Sequence, residues 1–233
     1  VVTSGPAGLV TSRGAKAPKL GASVLLAGDL DLVNLEELRA LTGLEGTCAI
    51  LTRLYELEGW QGIQRLRGGF AVALWDERQR SLFLGVDQFG IKRLYYAATP
   101  LGLTFASRPG ALLAHPGMEA VADPDAMYHY LNFGYVPAPA SAFRGIHRIP
   151  PGHWLLWRGQ EPVLTRYWHP TYAERPLAMR EGRASTYKLV EEAVARAVGS
   201  APPKETGAFL SGGTDSSTVV GLMAKLTGER VNA

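Results

Sequence analysis

The string Leu210-Ser211-Gly212-Gly213-Thr214-Asp215-Ser216-Ser217 constrains this chain more than any other stretch. The apolar Gly207-Ala208-Phe209 ahead of it reads as the end of a buried strand, and residues 218–226 behind it read as a helix. A strand, a glycine pair and a helix start crowded with hydroxyls make a phosphate cradle. Glycines let the backbone turn sharply and approach an anion closely. The first free N–H groups of the helix point at that anion, and the helix dipole favours negative charge there. Ser211, Ser216 and Ser217 add hydroxyl donors. Asp215 would be repelled by a bare phosphate, so it suits a Mg²⁺ ion, directly or through water, or a helix cap. The plainer reading is a capped helix after a glycine turn, which many α/β proteins contain. The Walker spacing Gly-x4-Gly-Lys-Ser/Thr is missing.

With 233 residues, 46% hydrophobic and 19% charged, the chain forms a core and is long enough for one large domain or two small ones. The net charge of +3 is scattered, without a Lys/Arg block, which argues against nucleic acid as a partner. A single cysteine, Cys48, permits no internal disulfide, and a reducing, cytoplasmic setting is the simplest expectation. No apolar run approaches the ~18 residues of a membrane helix, and nothing resembles a signal peptide. His115, His129, His147, His153 and His169 are dispersed without metal-ligand spacing and read as surface or structural.

Taken in order, residues 1–23 are weakly periodic and read as short strands or loop. Residues 24–31 read as a strand running into a turn. Asn34 is placed to cap a helix over 35–41, with Glu36 and Glu37 in its first turn. A second helix over 47–58 carries Ile50, Leu51, Leu54 and Leu57 at helical spacing, with Gly59 at its end and Cys48 as a small buried hydrophobe. Residues 70–76 and 81–87 form one hairpin, 94–97 and 103–106 a second. Four strands in meander order suggest one antiparallel sheet, covered by the two helices. Asp76 and Asp87 sit at strand ends and read as turn residues.

A short helix over 124–133 precedes a proline-rich stretch, 134–151, that should be extended or turning. Strands at 153–157 and 163–168 close the first domain. A polar linker, 169–183, leads to a helix from Ser185 to about Val198, with Leu189, Val190, Ala193, Val194 and Ala197 as its apolar stripe. One helix beyond a nucleotide loop is too little for an α/β domain, so the second domain is expected to continue past Ala233.

These blocks resemble the asparagine synthetase family. Gly69-Phe70-Ala71-Val72-Ala73-Leu74-Trp75-Asp76 is similar to its Gly-Met-Phe-Ala-Phe-Ala-Leu-Trp-Asp. Asp87-Gln88-Phe89-Gly90-Ile91-Lys92-Arg93-Leu94-Tyr95-Tyr96 resembles Asp-Arg-Phe-Gly-Ile-Lys-Pro-Leu-Tyr-Tyr. Phe105-Ala106-Ser107 resembles Phe-Ala-Ser-Glu, with Arg108 in place of the Glu. Tyr135-Val136-Pro137-Ala138-Pro139, Gly145-Ile146 and Ile149-Pro150-Pro151-Gly152-His153 follow in the family's order. The 211–217 string resembles the pyrophosphate-binding loop, or PP-loop, of ATP pyrophosphatases, Ser-Gly-Gly-x-Asp-Ser-Ser. The likeness runs over about residues 24–228.

The resemblance implies an α+β domain followed by an α/β one. The first, 1–168, is a class II glutamine amidotransferase-like αββα sandwich of the N-terminal-nucleophile type. The second, 184–233, is the start of a PP-loop synthetase domain. ATP and Mg²⁺ are the implied cofactors. Leu210, Ser211, Gly212, Gly213, Asp215, Ser216 and Ser217 are the implied ATP site, with Asp215 toward the metal. The implied reaction adenylates a carboxylate, aspartate first, and lets ammonia displace AMP. Small-molecule substrates and a homodimer are the implied partners.

Departures from the family concern glutamine. Its hydrolysis needs a free N-terminal cysteine, whose thiolate attacks the amide. Val1 stands first here, and Thr3 or Ser4 would serve only after a cleavage. Aligned back from Asn34 and Arg39, the family's glutamine-holding Asn-Gly-Glu falls on Asp29-Leu30-Asp31, and its Ser-Asp falls on Gly46-Thr47. No catalytic residue for glutamine is therefore assigned, and the glutaminase half is expected to be inactive, as is the fragment alone. Relatives without the cysteine include β-lactam synthetases and lasso-peptide cyclases, an alternative reading. A non-catalytic scaffold is a second.

Overall fold

The computed structural model describes residues 2–4, 7–9, 24–100, 102–172, 178–199 and 205–232. Its contacts divide the chain into two compact units, Val1–Pro170 and Thr171–Ala233. In the first, β1 (Val2–Ser4) and β2 (Ala7–Leu9) pair antiparallel. A five-stranded antiparallel sheet then combines β3 (Val24–Leu32), β4 (Gly68–Asp76), β5 (Ser81–Val86), β9 (His153–Trp157) and β10 (Val163–Arg166) in the order β10-β9-β5-β4-β3. A three-stranded sheet holds β6 (Tyr95–Thr99), β7 (Gly102–Ala106) and β8 (His147–Arg148) in the order β7-β6-β8.

Strand alternation explains the layers. Successive side chains of β4 point to opposite faces, and both faces are apolar. Phe70, Val72 and Leu74 pack with α1 (Leu35–Thr42), α2 (Thr47–Glu58) and the 3-10 turn Gly59–Arg65 through Leu38, Ile50, Leu51, Leu54 and Ile63. Ala71, Ala73 and Trp75 face the second sheet, with Leu94, Ile149 and Leu155 buried and Tyr96, Leu103 and Phe105 packed against them. Beyond that sheet, Ala97 and Ile146 are covered by Leu112 of α3 (Pro109–Leu112). Helix, sheet, sheet and helix thus stack in the αββα order. The other helix of this unit, α4 (Pro124–Phe133), is capped by Asp123, whose carboxylate accepts from the Asp125 N–H at 3.0 Å.

The single meander does not form. β5 and β6 are consecutive but belong to different sheets, because β9 takes the place beside β5, with Leu82 opposite Trp157 and Gly85 opposite Trp154. The turn after β5 redirects the chain. There the buried Asp87 carboxylate accepts from the N–H groups of Phe89, Ile91, Lys92 and Phe70. Asp76 organises the preceding hairpin in the same way, accepting from Arg78 and Gln79 N–H groups at 2.8 and 3.1 Å and from the Tyr55 hydroxyl. Both aspartates are turn residues, as their positions suggest.

Asn34 does not cap α1 with its side chain. Its amide instead donates to the Arg65 carbonyl at 2.9 Å and accepts from the Arg67 N–H at 3.1 Å. Those long-range backbone groups outcompete the helix start, because they would otherwise lie unpaired beside the core.

Burial first, then the Asp76 carboxylate, pushes the Tyr55 phenol well above its usual value; burial first, then Asp87, does the same for Tyr167. A raised folded pKa means that the resulting stabilisation is complete below the unfolded value of about 10 and is lost as pH rises through the folded one. Of the nine tyrosines, these two are expected among the last to ionise in an ultraviolet alkaline titration. Tyr55→Phe should remove one late step and cost about 1–2 kcal/mol. A titration unchanged by that substitution would contradict the assignment.

In the second unit, α5 (Met179–Val198) begins six residues before Ser185, inside the stretch read as linker. Its first turns are polar, so they carry no apolar period, yet Met, Arg, Glu and Ala all favour helix. Val194 packs with Leu222 and Met223 of α6 (Thr214–Thr227), flanked by Val190, Val198, Ala208 and Val231. Leu189 is 62% exposed, so the apolar stripe is narrower than its sequence suggests. Residues 207–209 form no strand. Gly207 makes a one-residue parallel bridge to Asn232, and Phe209 is fully exposed. A strand needs a ladder, and among the described residues only Asn232 offers one. No helix among the described residues is long and apolar enough to cross a membrane.

Candidate functional site

The 211–217 string folds as a loop entering α6. Gly212 has φ +81°, a left-handed value that favours glycine, while a Cβ placed there would meet nothing within 4 Å. Backbone conformation, and not crowding, demands this glycine, and the space beside it is open. Gly213 is the helix N-cap. The first intrahelical bond runs from the Ser217 N–H to the Gly213 carbonyl at 3.1 Å. The amides of Thr214, Asp215 and Ser216 therefore precede the helical ladder and face outward.

The hydroxyls are not equivalent. Ser216 Oγ donates to the Gly213 carbonyl at 3.1 Å and accepts from the Ser211 N–H at 3.3 Å. It also lies 3.0 Å from Ser211 Oγ. Ser211 Oγ in turn lies 3.5 Å from the Gly213 nitrogen, which donates to it. Ser217 and Asp215 make no side-chain bond among the described residues, and both are exposed. Asp215 is therefore not a cap; it is a free carboxylate in the first turn of α6. Leu210 is half-exposed at the loop entrance. At the far end of α6, Lys225 bonds Glu191 at 2.6 Å and the Tyr187 hydroxyl at 3.2 Å, fastening α6 to α5.

The residues aligned with the family's glutamine site lie in the first unit. Asp29, Leu30 and Asp31 sit on β3, opposite Ala71, Phe70 and Gly69. Alternation sends Leu30 into the helix-side core and leaves Asp29 and Asp31 on the other face. The Asp29 carboxylate is paired with Lys92 Nζ at 3.0 Å. That partner had no signal in the β3 sequence; it arrives because the turn after β5 lies over Gly69, where Ile91 and Lys92 approach the glycine. Thr47 is the first residue of α2 and brings no carboxylate. Burial pushes the neighbouring Cys48 thiol up, away from the reactive thiolate, in keeping with a packing role. Among the described residues, no group of three His, Cys, Asp or Glu is placed to hold a metal ion.

Comparison with known proteins addresses both units. Residues 34–168 match the family described as glutamine amidotransferase domain, and residues 185–233 match asparagine synthase. A putative glutamine-hydrolysing asparagine synthetase of Mycobacterium tuberculosis is 36% identical over 176 residues, 72% of this chain and 27% of that protein. Glutamine-hydrolysing asparagine synthetase 3 of Bacillus subtilis is 31% identical over 202 residues, 83% of this chain and 33% of that protein. The chain thus spans about a quarter to a third of the length of these relatives. Among solved structures, a glutamine phosphoribosylpyrophosphate amidotransferase from B. subtilis covers 92% of this chain and 46% of its own, at 15% identity and a TM-score of 0.44.

Proposed function

The chain belongs to the asparagine synthetase family, and from that premise we propose that it carries the nucleotide loop of an ATP-dependent ligase that activates a carboxylate, aspartate first, and releases AMP and pyrophosphate. The observation that carries this reading is the open loop at the start of α6, with three outward amides, a free Ser217 hydroxyl and a free Asp215 carboxylate. A polyphosphate meets donors on the backbone, and Gly212 and Gly213 let it come close. Leu210 lies where the chain enters that cradle. Asp215 fits a Mg²⁺ ion: it is a hard oxygen ligand without a competing partner, beside donors for phosphate. Such an ion supplies charge neutralisation of the departing pyrophosphate. In the reaction, a carboxylate oxygen bonds the α-phosphorus as the bond from that phosphorus to the bridging oxygen breaks. Ammonia then bonds the acyl carbon, and AMP leaves with the carboxylate's former oxygen.

For glutamine, the reading is negative. The position that offers an oxyanion donor in the family holds the Asp29 carboxylate, which repels a developing negative charge even though Lys92 balances it. Leu30 and Thr47 bring neither a side-chain amide nor a carboxylate. Free ammonia, or another amine, is then the nucleophile.

The test uses the full-length protein with ATP, Mg²⁺ and aspartate, supplied with ammonia or glutamine, following AMP, pyrophosphate and asparagine. Asparagine from ammonia alone supports the reading in full. Asparagine from glutamine overturns the inactive glutaminase. ATP bound without turnover of aspartate moves the acceptor to a ring-closing relative of the β-lactam synthetase or lasso-peptide cyclase kind. Asp215→Ala should lower pyrophosphate release about a hundredfold, the scale of one electrostatic contact to a transferring group. The fold should survive, because this carboxylate is exposed and unbonded.

A further inference from the structure

We infer that the first unit holds a binding site for a small apolar molecule, in a cavity of about 40 Å³ between α2, the 3-10 turn Gly59–Arg65 and the helix side of the five-stranded sheet. It stands apart from the nucleotide reading, which concerns the other unit. Leu51, Leu54 and Tyr55 of α2, Val72 and Leu74 of β4, and Phe83 of β5 line it. The space persists because the turn cannot settle further onto its neighbours. The Trp60 ring stacks on Phe83, with centroids 5.0 Å apart and planes 9° from parallel, and Tyr55 lies 4.6 Å from Trp60. Ile63 stands on Gly85, where even a Cβ would overlap its Cδ1. Gly62 lies so near α2 that a Cβ would be 3.0 Å from the Leu54 carbonyl oxygen. Stacked rings and a backbone contact do not spread into a gap as a flexible side chain does, so the space beside them stays unfilled.

Water is a poor occupant. A buried water needs about 2–4 polar partners, and the polar groups of this lining are engaged. The Tyr55 hydroxyl donates to the Asp76 carboxylate and accepts from the Gln79 amide at 3.1 Å. The Tyr55 carbonyl accepts from the Gly59 N–H, the Ile63 carbonyl from the Leu66 N–H at 3.1 Å, and the Leu66 carbonyl from the Gln88 amide at 2.9 Å. What remains is aliphatic carbon and ring faces, whose dispersion contacts favour any apolar atom that fills the gap. Size then sets the class of guest. A water's share of the liquid is about 30 Å³, and a cavity that takes benzene measures about 150 Å³. A space of about 40 Å³ therefore suits one xenon atom or a molecule of one or two carbons, and excludes benzene.

Methyl NMR of the full-length protein under dissolved xenon reads the site. The Leu51, Leu54 and Val72 methyl signals should shift and saturate, while benzene should leave them in place. Val72→Ile adds a methyl group to the lining and should abolish the shifts at Leu51 and Leu54. Leu51→Ala enlarges the space and should let benzene in, read at Leu54 and Val72. Unshifted methyls in the unsubstituted protein, or equal shifts in Val72→Ile, would overturn the site. Benzene binding without any substitution would overturn its size class. A nuclear Overhauser effect from water to the Leu54 methyls would show a wet cavity and overturn its apolar class. Should Val72→Ile not fold, Leu51→Ala decides, because benzene that fails to enter the enlarged space would place the xenon elsewhere.

Discussion

Replacing Asp87 with alanine is expected to destabilise the first unit by about 4 kcal/mol, several orphaned donors at ~1–3 kcal/mol each with partial rewetting. The carboxylate is 1% exposed and accepts from four backbone N–H groups: Phe70 at 3.2 Å, Phe89 at 3.0 Å, Ile91 at 3.0 Å and Lys92 at 2.9 Å. Three of these lie in the turn that carries the chain from the first sheet to the second, and one lies on β4. The Asp87 carbonyl also accepts from Gly90 and Gly152 N–H groups, so the same residue anchors the approach to β9. Removing the side chain leaves donors facing an empty space that only some can fill with water. Asp87→Asn should also be costly, since its amide nitrogen turns two donors toward donors. Urea unfolding that follows the first unit should show a lower midpoint with an unchanged slope. A loss below about 1 kcal/mol in both variants would mean that the turn holds its shape without the carboxylate.

How far the sequence reveals this fold depends on the range of the interactions. The helix 47–58 is read with its observed ends because apolar spacing and the glycine at position 59 are local signals, and the expected helix 124–133 forms over the same residues. Both hairpins are legible for the same reason. The partition into two sheets is not. It depends on β9 pairing with β5, with Leu82 opposite Trp157, and nothing near residue 82 specifies a neighbour that far along the chain. Asn34 fails as a cap on the same grounds, since the backbone groups its side chain bonds lie more than thirty residues away. At the 211–217 loop, glycines, hydroxyls and an acid in one short string are the local signal on which the nucleotide proposal rests. Which hydroxyls remain free is hidden, because the Ser211 and Ser216 side chains meet only through the left-handed turn at Gly212. Residues 207–209 mislead for a physical reason too: an apolar run records a preference for burial, not the strand that must lie beside it.

Gly68→Ala should be about as damaging as the loss of Asp87, near 4 kcal/mol, because it combines a strained backbone with a contact that cannot yield. Gly68 has φ +111°, a value L side chains rarely adopt, and its Cβ would lie 2.3 Å from the Asp31 carbonyl oxygen and 3.0 Å from the Val33 nitrogen. Both are backbone atoms of the paired chain, and β4 starts at this residue opposite Leu32. A side-chain clash can be relieved by a rotamer change. Here relief requires β3 to separate from β4 at the end where Asp29 and Asp31 stand. The next residue, Gly69, lies under Ile91 and Lys92, so the displacement would also reach the Asp29–Lys92 pair. Gly43→Ala provides the comparison: its φ is +68°, but a Cβ there meets nothing within 4 Å, so only the local strain of about 1–2 kcal/mol applies. Thermal or urea unfolding of the two variants should separate them by about 2–3 kcal/mol, the part that the backbone contact contributes. Equal losses would show that the ends of β3 and β4 can part without cost, in which case the carboxylates aligned with the family's glutamine site are not held by this sheet.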